Sequence, residues 1–225
     1  MAESWKVYKA AEAGPNASVI YVSIISPVVK GTDYSIVSLL GEAFPGDGIL
    51  GEEGGDDRAG KSVIWVIDPI DGTVNFAHGI PLCCVSIGVE VNGVMELGAV
   101  YNPFINEMLF AQLGWGATLN SRIIKVSETK EIITSCLVTG FPYTYLDMPN
   151  GPLEVFSKFI RKGVPVRRFG SAAIDLCYVA AGRFDGFYEH KLNAWDSAAG
   201  CIIIQEAGGR ISDLSGDPYN MYQPG

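Results

Sequence analysis

The sequence has little charge and few basic groups. Charged residues make up 18% of its 225 residues, and 16 Lys and Arg against 25 Asp and Glu give a net charge of −9. A chain that is 48% hydrophobic is not intrinsically disordered, and its length is enough to bury a sizeable core. The acidic balance repels nucleic acid, anionic lipid and phosphate groups. We therefore expect no nucleic-acid or membrane partner, and a phosphate ligand would need a local cation.

The sequence also lacks paired cysteines and long hydrophobic runs. Its five cysteines are odd in number and form no CxxC pair, which predicts buried thiols in a reducing compartment and a cytoplasmic protein. The most membrane-like stretch, residues 17–29, has only 13 residues and contains Pro27. It is too short to span a bilayer and is poorly built as a secretory signal.

The first half of the chain predicts one helix and then an antiparallel sheet. Asn92-Gly93, between two apolar runs, is the strongest short-range hairpin signal. The run SVIWVID is typical of a buried strand, which Pro69 should end. The predicted elements are a helix that Asp33 caps and Pro45 closes, a Gly-rich acidic loop at residues 46–60, and strands at residues 62–68, 82–91, 94–101 and 106–113.

After Gly116 the pattern changes, and a second layer of strands and helices is expected. The predicted elements are strands at residues 136–139 and 184–188 and helices at residues 152–161, 171–181 and 196–207, the last with Asp196 as its N-cap. A boundary near Gly116 divides residues 1–116 from residues 117–225. No linker or repeat separates them, so we expect two halves of one compact unit with an α/β or α+β fold.

The most informative stretch is DPIDGT at residues 68–73. Asp68 and Asp71 leave the end of a predicted strand, where Pro69 fixes φ and Gly72 lets the backbone come close to a ligand. If a short helix opens after Gly72, its free N–H groups can bind an anionic oxygen while the two carboxylates hold a cation beside it. The alternative is an ordinary strand and tight turn, because Asp, Pro and Gly are common turn formers.

Two acidic positions elsewhere strengthen the metal hypothesis. Glu52 lies in GEEG before the predicted strand, and Asp196 begins an apolar helix far along the chain. Taken singly, they are typical of a solvated loop and a helix cap. Several carboxylates near one point repel one another unless a multivalent cation neutralises them. All these donors are oxygens, and His78 and His190 are interpreted as structural or surface residues, so Mg²⁺ is favoured over Zn²⁺.

Three motifs together resemble the inositol monophosphatase family of Mg²⁺-dependent, lithium-sensitive phosphatases: GEEGG, then WVIDPIDGTVNF, then LNAWDSAAG near the end. The resemblance runs from about residue 33 to the C-terminus and includes GAVYNP, GATLN and RRFGSAAIDLCYVAAGRFDGFYE. It implies alternating layers of helices and mixed or antiparallel sheets, a sandwich that forms homodimers. It also implies in-line hydrolysis of a small phosphomonoester, inositol monophosphate, by a metal-activated water.

The resemblance assigns metal and phosphate roles to the first half of the chain, residues 1–116, together with one residue of the second half. Two or three Mg²⁺ per active site would be held by the carboxylates of Glu52, Asp68, Asp71 and Asp196 and the carbonyl of Ile70. Glu52, Asp71 and Thr73 would be catalytic, with Glu52 and Thr73 orienting the attacking water. Thr73 with Gly72 would contact the phosphate.

The resemblance assigns substrate binding to the second half, residues 117–225. Asp196 would bridge metal and leaving group, and the leaving alcohol would be contacted by Gly170, Ser171, Ala172 and Glu189. A helix N-cap for Ser171 and a surface acid for Glu189 are the alternatives.

The sequence departs from the family at two places. Asp33 stands alone in KGTD, where members carry Thr-x-x-Asp before a longer helix, so its role as an accessory metal ligand stays unassigned. Members continue after the position of Asp213 with more strand and helix, so we expect the C-terminal end to be truncated.

GDDRAGKS at residues 55–62 matches the P-loop pattern GxxxxGK[ST] of nucleotide hydrolases. A P-loop leaves a strand and opens a helix, whereas this match follows a predicted loop and runs into a predicted strand. Its two Asp residues would also oppose a triphosphate.

Within the resemblance to the inositol monophosphatase family, fructose bisphosphate, histidinol phosphate and 3′-phosphoadenosine nucleotides remain open as substrates. A non-catalytic binding or regulatory member is the third hypothesis.

Overall fold

The computed structural model describes residues 6–11, 18–23, 32–53, 55–149 and 151–223. The chain begins with an antiparallel pair, β1 (Lys6–Ala11) and β2 (Ser18–Ser23), and then α1 (Thr32–Ala43). The side chain of Asp33, the predicted cap of this helix, lies outside what the structure describes.

An eight-stranded mixed sheet follows. Its strands are β3 (Gly48–Gly51), β4 (Gly55–Asp56), β5 (Val63–Asp71), β6 (Cys84–Val91), β7 (Val94–Asn102), β8 (Glu107–Gln112), β9 (Gly116–Leu119) and β10 (Arg122–Ile123), in the order β10-β9-β8-β7-β6-β5-β3-β4. All neighbours are antiparallel except β3 and β5, which are parallel. The predicted Asn92-Gly93 hairpin is confirmed, because Val91 pairs with Val94 across it.

A smaller sheet and four helices complete the described chain. The three parallel strands β11 (Leu137–Thr139), β12 (Val166–Arg167) and β13 (Gly186–Tyr188) lie in the order β12-β11-β13. The helices are α2 (Thr73–Ala77), α3 (Pro152–Arg161), α4 (Ala172–Ala180) and α5 (Ala194–Glu206), and short 3₁₀ turns lie at Ile132–Thr134 and Tyr145–Asp147.

The elements stack in alternating layers, as expected for the fold. Side chains alternate along β5, so that Trp65 and Ile67 face α1 while Ile64 and Val66 lie on the side of α5. Helices α4 and α5 fill the space between the two sheets. Helix α3 packs its Phe156 and Phe159 against the small sheet.

A glycine pair lets α5 lie close to the large sheet. Gly88 and Gly98 face each other on β6 and β7. A Cβ on Gly98 would come within 2.5 Å of the Ala199 carbonyl oxygen, and one on Gly88 within 2.9 Å of the Ala198 Cβ. The absence of side chains at this crossing therefore allows α5 to lie directly against β6 and β7.

Two predictions about the first half were wrong. Residues 46–60 are not simply a loop, because Gly48–Gly51 pairs in parallel with residues 64–67 and Gly55–Asp56 returns beside it. The next strand does not end at Pro69 but continues to Asp71, with an irregular register between Asp68 and Asp71. Proline has no N–H to donate, so the ladder is interrupted there rather than ended.

The P-loop match is not supported by its structural context. Its residues, 55–62, begin as β4 and lead into β5, and no helix opens where the phosphates would have to bind. All five cysteines are free thiols. Cys83, Cys84 and Cys177 are buried, as predicted, whereas Cys136 and Cys201 are only half-buried. None of the helices in the described ranges is long and apolar enough to cross a membrane.

Candidate metal centre

Three carboxylates from two distant parts of the chain meet at one point. Asp68 and Asp71 stand at the end of β5 and Asp196 in the first turn of α5, and one oxygen of each lies within 4.8 Å of the others. Residues three apart in a regular strand point to opposite faces. The irregular register between Asp68 and Asp71 is what allows both to face the same site.

The carboxylate of Asp71 is held by the start of α4. Its Oδ2 accepts hydrogen bonds from Ser171 Oγ at 2.5 Å and from the Ala173 N–H at 2.8 Å, and Cys84 Sγ lies 3.8 Å away. Ser171 Oγ also accepts the Ile174 N–H, so this residue is the N-cap of α4. Ser171 is 1% exposed, and the structure supports its N-cap alternative over a direct contact with substrate.

The electrostatics of the cluster favour a cation. Burial, together with the charges of Asp71, Glu52 and Asp196, raises the pKa of Asp68 to about 9. Burial raises the pKa of Asp71 to about 6 despite the opposing bonds from Ser171 and Ala173, and burial also raises the pKa of Asp196. A buried carboxyl group in this state takes up either a proton or a metal ion. The oxygen-only donor set suits Mg²⁺, so the residues present fit the metal that the sequence predicts.

Glu52 approaches the cluster from the neighbouring strand. Its N–H donates to the Ile67 carbonyl oxygen at 3.3 Å, immediately after Gly51 pairs with Ile67. The residue therefore stands beside Asp68, whose pKa its charge helps to raise. Glu52 is exposed and is not one of the three residues whose oxygens converge.

The turn after β5 is fixed by backbone packing. Gly72 has φ 88° and caps α2, and a Cβ there would come within 2.9 Å of the Leu82 carbonyl oxygen and 3.2 Å of that of Gly170. Asn75 Nδ2 donates to the carbonyl oxygens of Leu82 at 2.7 Å and Phe169 at 2.6 Å. The close approach at Gly72 is thus to the protein itself, while Thr73 is exposed at the start of the helix. Sequence reasoning missed Asn75, a buried amide in a five-residue helix.

Asp196 is not the N-cap that the sequence predicted. The helix begins two residues earlier, and Asn193 caps it while the Asp196 carboxylate accepts the Asn193 N–H at 2.7 Å. The two residues form a capping box, with Asp196 in its third helical position. This bond fixes the Asp196 side chain on the side of the helix that faces β5.

The second half of the chain contributes two further acids, Glu189 and Asp175, of which only Glu189 was predicted from the sequence. Burial, with the charges of Asp196 and Asp71, raises the pKa of Glu189 to about 8, against the opposing effect of Arg168. Glu189 is half-buried against Gly140, where a Cβ would collide with its carboxylate, so it is not a fully solvated surface acid. Gly170 and Ala172, which flank Ser171, lie where α4 begins, beside the residue that bonds Asp71.

Asp175, in the first turn of α4, went unnoticed in the sequence. It is 1% exposed, and its Oδ1 has no hydrogen-bond partner in the part of the chain that the structure describes. Burial and the charges of Glu189 and Asp71 raise its pKa well above the usual range. An acid in a first helical turn is normally solvated, so nothing in the sequence marked this one.

Other candidates stand apart from the cluster. His78 is exposed and His190 half-buried, and neither joins the three aspartates, as interpreted from the sequence. A cavity of about 960 Å³ between β13, α5 and the residues after α5 includes Glu189 in its lining but none of the three aspartates. Of the site residues that the sequence predicts, Glu189 alone lines this cavity.

Residues 22–224 match the model of the inositol monophosphatase family. The chain belongs to this family. The inositol-1-monophosphatase of Synechocystis is 43% identical over 199 residues, which are 88% of this chain and 69% of that protein. The Nus factor SuhB of Pseudomonas aeruginosa is 41% identical over 197 residues, 85% of this chain and 73% of that protein.

A solved structure shows the same inositol monophosphatase fold. The inositol monophosphatase from Anabaena is 41% identical, with a TM-score of 0.81 over 84% of this chain and 75% of that one. The mixed sheets and helices described above therefore match the fold of that structure. The inositol monophosphatase family consists of metal-dependent phosphatases, and the acidic cluster could hold the metal that such chemistry requires.

Proposed function

We propose that the protein is a Mg²⁺-dependent phosphomonoesterase that hydrolyses inositol monophosphates. The observation that carries the proposal is the convergence of Asp68, Asp71 and Asp196, with one oxygen of each within 4.8 Å of the others. Such a cluster, of two buried acids and one half-buried acid, is unfavourable by itself and becomes favourable when divalent cations bind. Those cations also answer the repulsion between a chain of net charge −9 and an anionic substrate.

The proposed metal ligands surround the end of β5. Two or three Mg²⁺ would be held by Glu52, Asp68, Asp71, Asp196 and the carbonyl of Ile70. When bound, the ions would lower the pKa of a coordinated water and neutralise charge on the departing oxygen. The Ile70 N–H donates to Asp68 Oδ1 at 2.9 Å, which fixes the Asp68 side chain beside its own strand.

The chain's own groups would orient the reaction. Asp71 has one oxygen engaged by Ser171 and Ala173, so its position does not depend on metal alone. Glu52 and the exposed Thr73 hydroxyl would orient the attacking water, and Gly72 with Thr73 would contact the phosphate. These are positioning tasks, as in-line phosphoryl transfer requires.

The substrate alcohol would be bound on the side of the second half. Glu189 would accept a hydrogen bond from a hydroxyl of the leaving alcohol, with Gly170 and Ala172 beside it and Ser171 acting through Asp71. Asp196 would contact both metal and leaving group. The half-burial of Glu189 means that a bound alcohol would meet a carboxylate with few competing waters.

The substrate assignment is tested by phosphate release over a panel of phosphomonoesters. The panel contains inositol monophosphate, fructose bisphosphate, histidinol phosphate and a 3′-phosphoadenosine nucleotide, each in Mg²⁺ and in chelator. We expect the highest kcat/KM on inositol monophosphate, with all activity lost in chelator. A higher kcat/KM on another compound would keep the phosphatase and change its substrate.

The names of relatives raise a second candidate function. Several relatives of 37–41% identity are named Nus factor SuhB, a name that does not refer to hydrolysis. A role of that kind would not require the aspartate cluster. Asp68→Asn should therefore abolish hydrolysis and leave the second function intact.

We also propose a homodimer that is inhibited by lithium. Light scattering of the eluted protein and a lithium titration of activity test these two properties.

A further inference from the structure

A short segment after α5 ties together two distant sides of the metal centre. Residues 219–222, here called the strap, make three separate contacts. The first is at α5, where Tyr219 Oη and Ser197 Oγ are 2.9 Å apart. Ser197 directly follows Asp196, so this end of the strap is anchored beside a proposed metal ligand.

The middle of the strap lies on the core beneath the sheet. Met221 packs against the cluster that contains Leu50 of β3 and both Ile64 and Val66 of β5. Glu52 directly follows β3, and Asp68 lies near the end of β5. The strap therefore crosses the two strands that lead to the site.

The far end of the strap reaches the hairpin that carries Glu52. Tyr222 Oη donates to Glu90 Oε2 at 2.9 Å, and the Arg58 guanidinium lies over the Tyr222 ring, 4.5 Å from its centroid. Arg58 in turn donates from Nε and Nη2 to the two carboxylate oxygens of Asp56, at 2.8 and 2.7 Å. Asp56 belongs to β4, the strand that returns next to β3 after Glu52.

The hairpin needs an external tie. Strand β4 has only two residues and lies at the edge of the sheet, and a pairing this short is marginal by itself. The Arg58–Asp56 pair is partly exposed, and an exposed ion pair contributes only about 0–1 kcal/mol. The aromatic ring under Arg58 and the bond to Glu90, which is 9% exposed, add the contacts that join this pair to the body of the protein.

We infer that Tyr222 and Arg58 are positioning residues that hold Glu52 in place relative to Asp196. The inference rests on the proposed function, because it assumes that Glu52 acts at the metal centre. It adds Tyr222 of the strap and Arg58, which follows β4, to the groups on which metal affinity depends, although neither is among the proposed metal or substrate ligands.

The test measures metal affinity and catalysis separately. Mn²⁺, which suits the same oxygen ligands, is titrated into wild type, Tyr222→Phe and Tyr222→Ala, with the free ion followed by its paramagnetic resonance signal. We expect Tyr222→Ala to weaken Mn²⁺ binding about fivefold and to lower kcat about tenfold with little change in KM, as for a loss of positioning. Tyr222→Phe keeps the ring under Arg58 and loses only the hydrogen bonds of the hydroxyl, to Glu90 and to the Arg58 side chain, so we expect an effect of about twofold.

A double-mutant cycle separates positioning from general destabilisation. In a Glu52→Gln background, Tyr222→Ala should change Mn²⁺ affinity by less than about 1.5-fold, because the group that it positions is already lost. Tyr143→Ala, at a side chain that is 89% exposed, is the matched control and should behave as wild type. Equal losses with and without Glu52, or no loss in Tyr222→Ala, would overturn the inference.

The outcome for the proposed function is separate. Wild type that binds Mn²⁺ and shows the expected Tyr222 effect but releases no phosphate would refute the hydrolase and support the strap. If wild type hydrolyses inositol monophosphate and Tyr222→Ala behaves as wild type, the hydrolase is supported and the role of the strap is refuted. The Phe variant keeps the test decisive if the Ala variant fails to fold.

Discussion

Ser171 donates a 2.5 Å hydrogen bond to Asp71 across one hundred residues of sequence. The same hydroxyl accepts the Ile174 N–H as the N-cap of α4. One side chain thus joins the start of a helix to a carboxylate of the candidate metal centre. Folding of α4 and the placement of Asp71 are therefore coupled.

Replacement of Ser171 by alanine should reduce both stability and catalysis. Loss of a helix cap costs about 0.5–2 kcal/mol, and a looser Asp71 should lower kcat by roughly ten- to hundredfold. Ser171→Thr should restore most of the lost activity, because the hydroxyl is kept. Urea denaturation and steady-state kinetics give the two quantities.

Ser135→Ala is the control for this prediction. Ser135 is 4% exposed and donates to the Ile132 carbonyl oxygen at 2.6 Å, but it is not among the residues of the site. Its loss should lower stability and leave kcat unchanged. Equal losses of kcat in the two variants would show that Ser171 acts only through stability.

Gly72→Ala should damage the turn that follows β5. The residue has φ 88°, and the added Cβ would come within 2.9 Å of the Leu82 carbonyl oxygen. Both the strain and the collision must be relieved by moving the turn, so kcat/KM should fall on the order of a hundredfold.

Gly79→Ala separates the effect of strain from that of the collision, because Gly79 has φ 68° and nothing within 4 Å of its Cβ position. It should lose about 1–2 kcal/mol of stability and no activity. Similar activities for both variants would contradict this account of Gly72.

The aspartates of β5 could be predicted because their signals are local. Asp68-Pro69 and Asp71-Gly72 mark the end of a β-rich run, and the structure confirms a strand followed by a short helix. The helix at Pro152–Arg161 was likewise predicted from its own residues. In each case the residues that determine the conformation are neighbours in sequence.

The Glu52 hairpin could not be predicted in this way. Strand β3 has four residues, two of them glycine, and its strand conformation comes from pairing with β5. Intrinsic preference does not reveal such a partner. The burial of Asp175 and Glu189 also depends on distant packing. The cap of α5 is different, because Asn193 three residues before Asp196 was a visible capping-box signal.

The Glu107–Arg183 pair predicts a pH dependence of stability away from the site. The hydrogen bond from Arg183 lowers the pKa of Glu107. A carboxyl group whose pKa is lower in the folded state stabilises the fold above its unfolded pKa, about 4.3, and loses this effect as pH falls through the folded value. The difference in unfolding free energy between wild type and Glu107→Gln should therefore be largest near neutral pH and shrink below about pH 4. Urea denaturation over this range measures it, with the exposed Glu131→Gln as control. A difference that is constant with pH would contradict the assignment.

Lys61→Ala should be almost silent. The P-loop match would make this lysine essential, whereas the structure places it in a turn before β5, with its N–H donating to the Arg58 carbonyl oxygen. We expect kcat/KM on inositol monophosphate to stay within about threefold of wild type. If ATP raised the melting temperature of wild type and Lys61→Ala removed that effect, the nucleotide hypothesis would return.

Phosphate release by wild type and Asp71→Asn, in saturating Mg²⁺ and in chelator, tests the central claim most directly. The substitution keeps the shape of a side chain that accepts hydrogen bonds from Ser171 and Ala173 and removes its charge. We predict hydrolysis of inositol monophosphate by wild type only with Mg²⁺, and a kcat lower by about a thousandfold or more in Asp71→Asn with an unchanged fold. A variant that kept more than about a tenth of the wild-type kcat, or wild-type hydrolysis that persisted in chelator, would contradict a metal-dependent phosphatase built on this cluster.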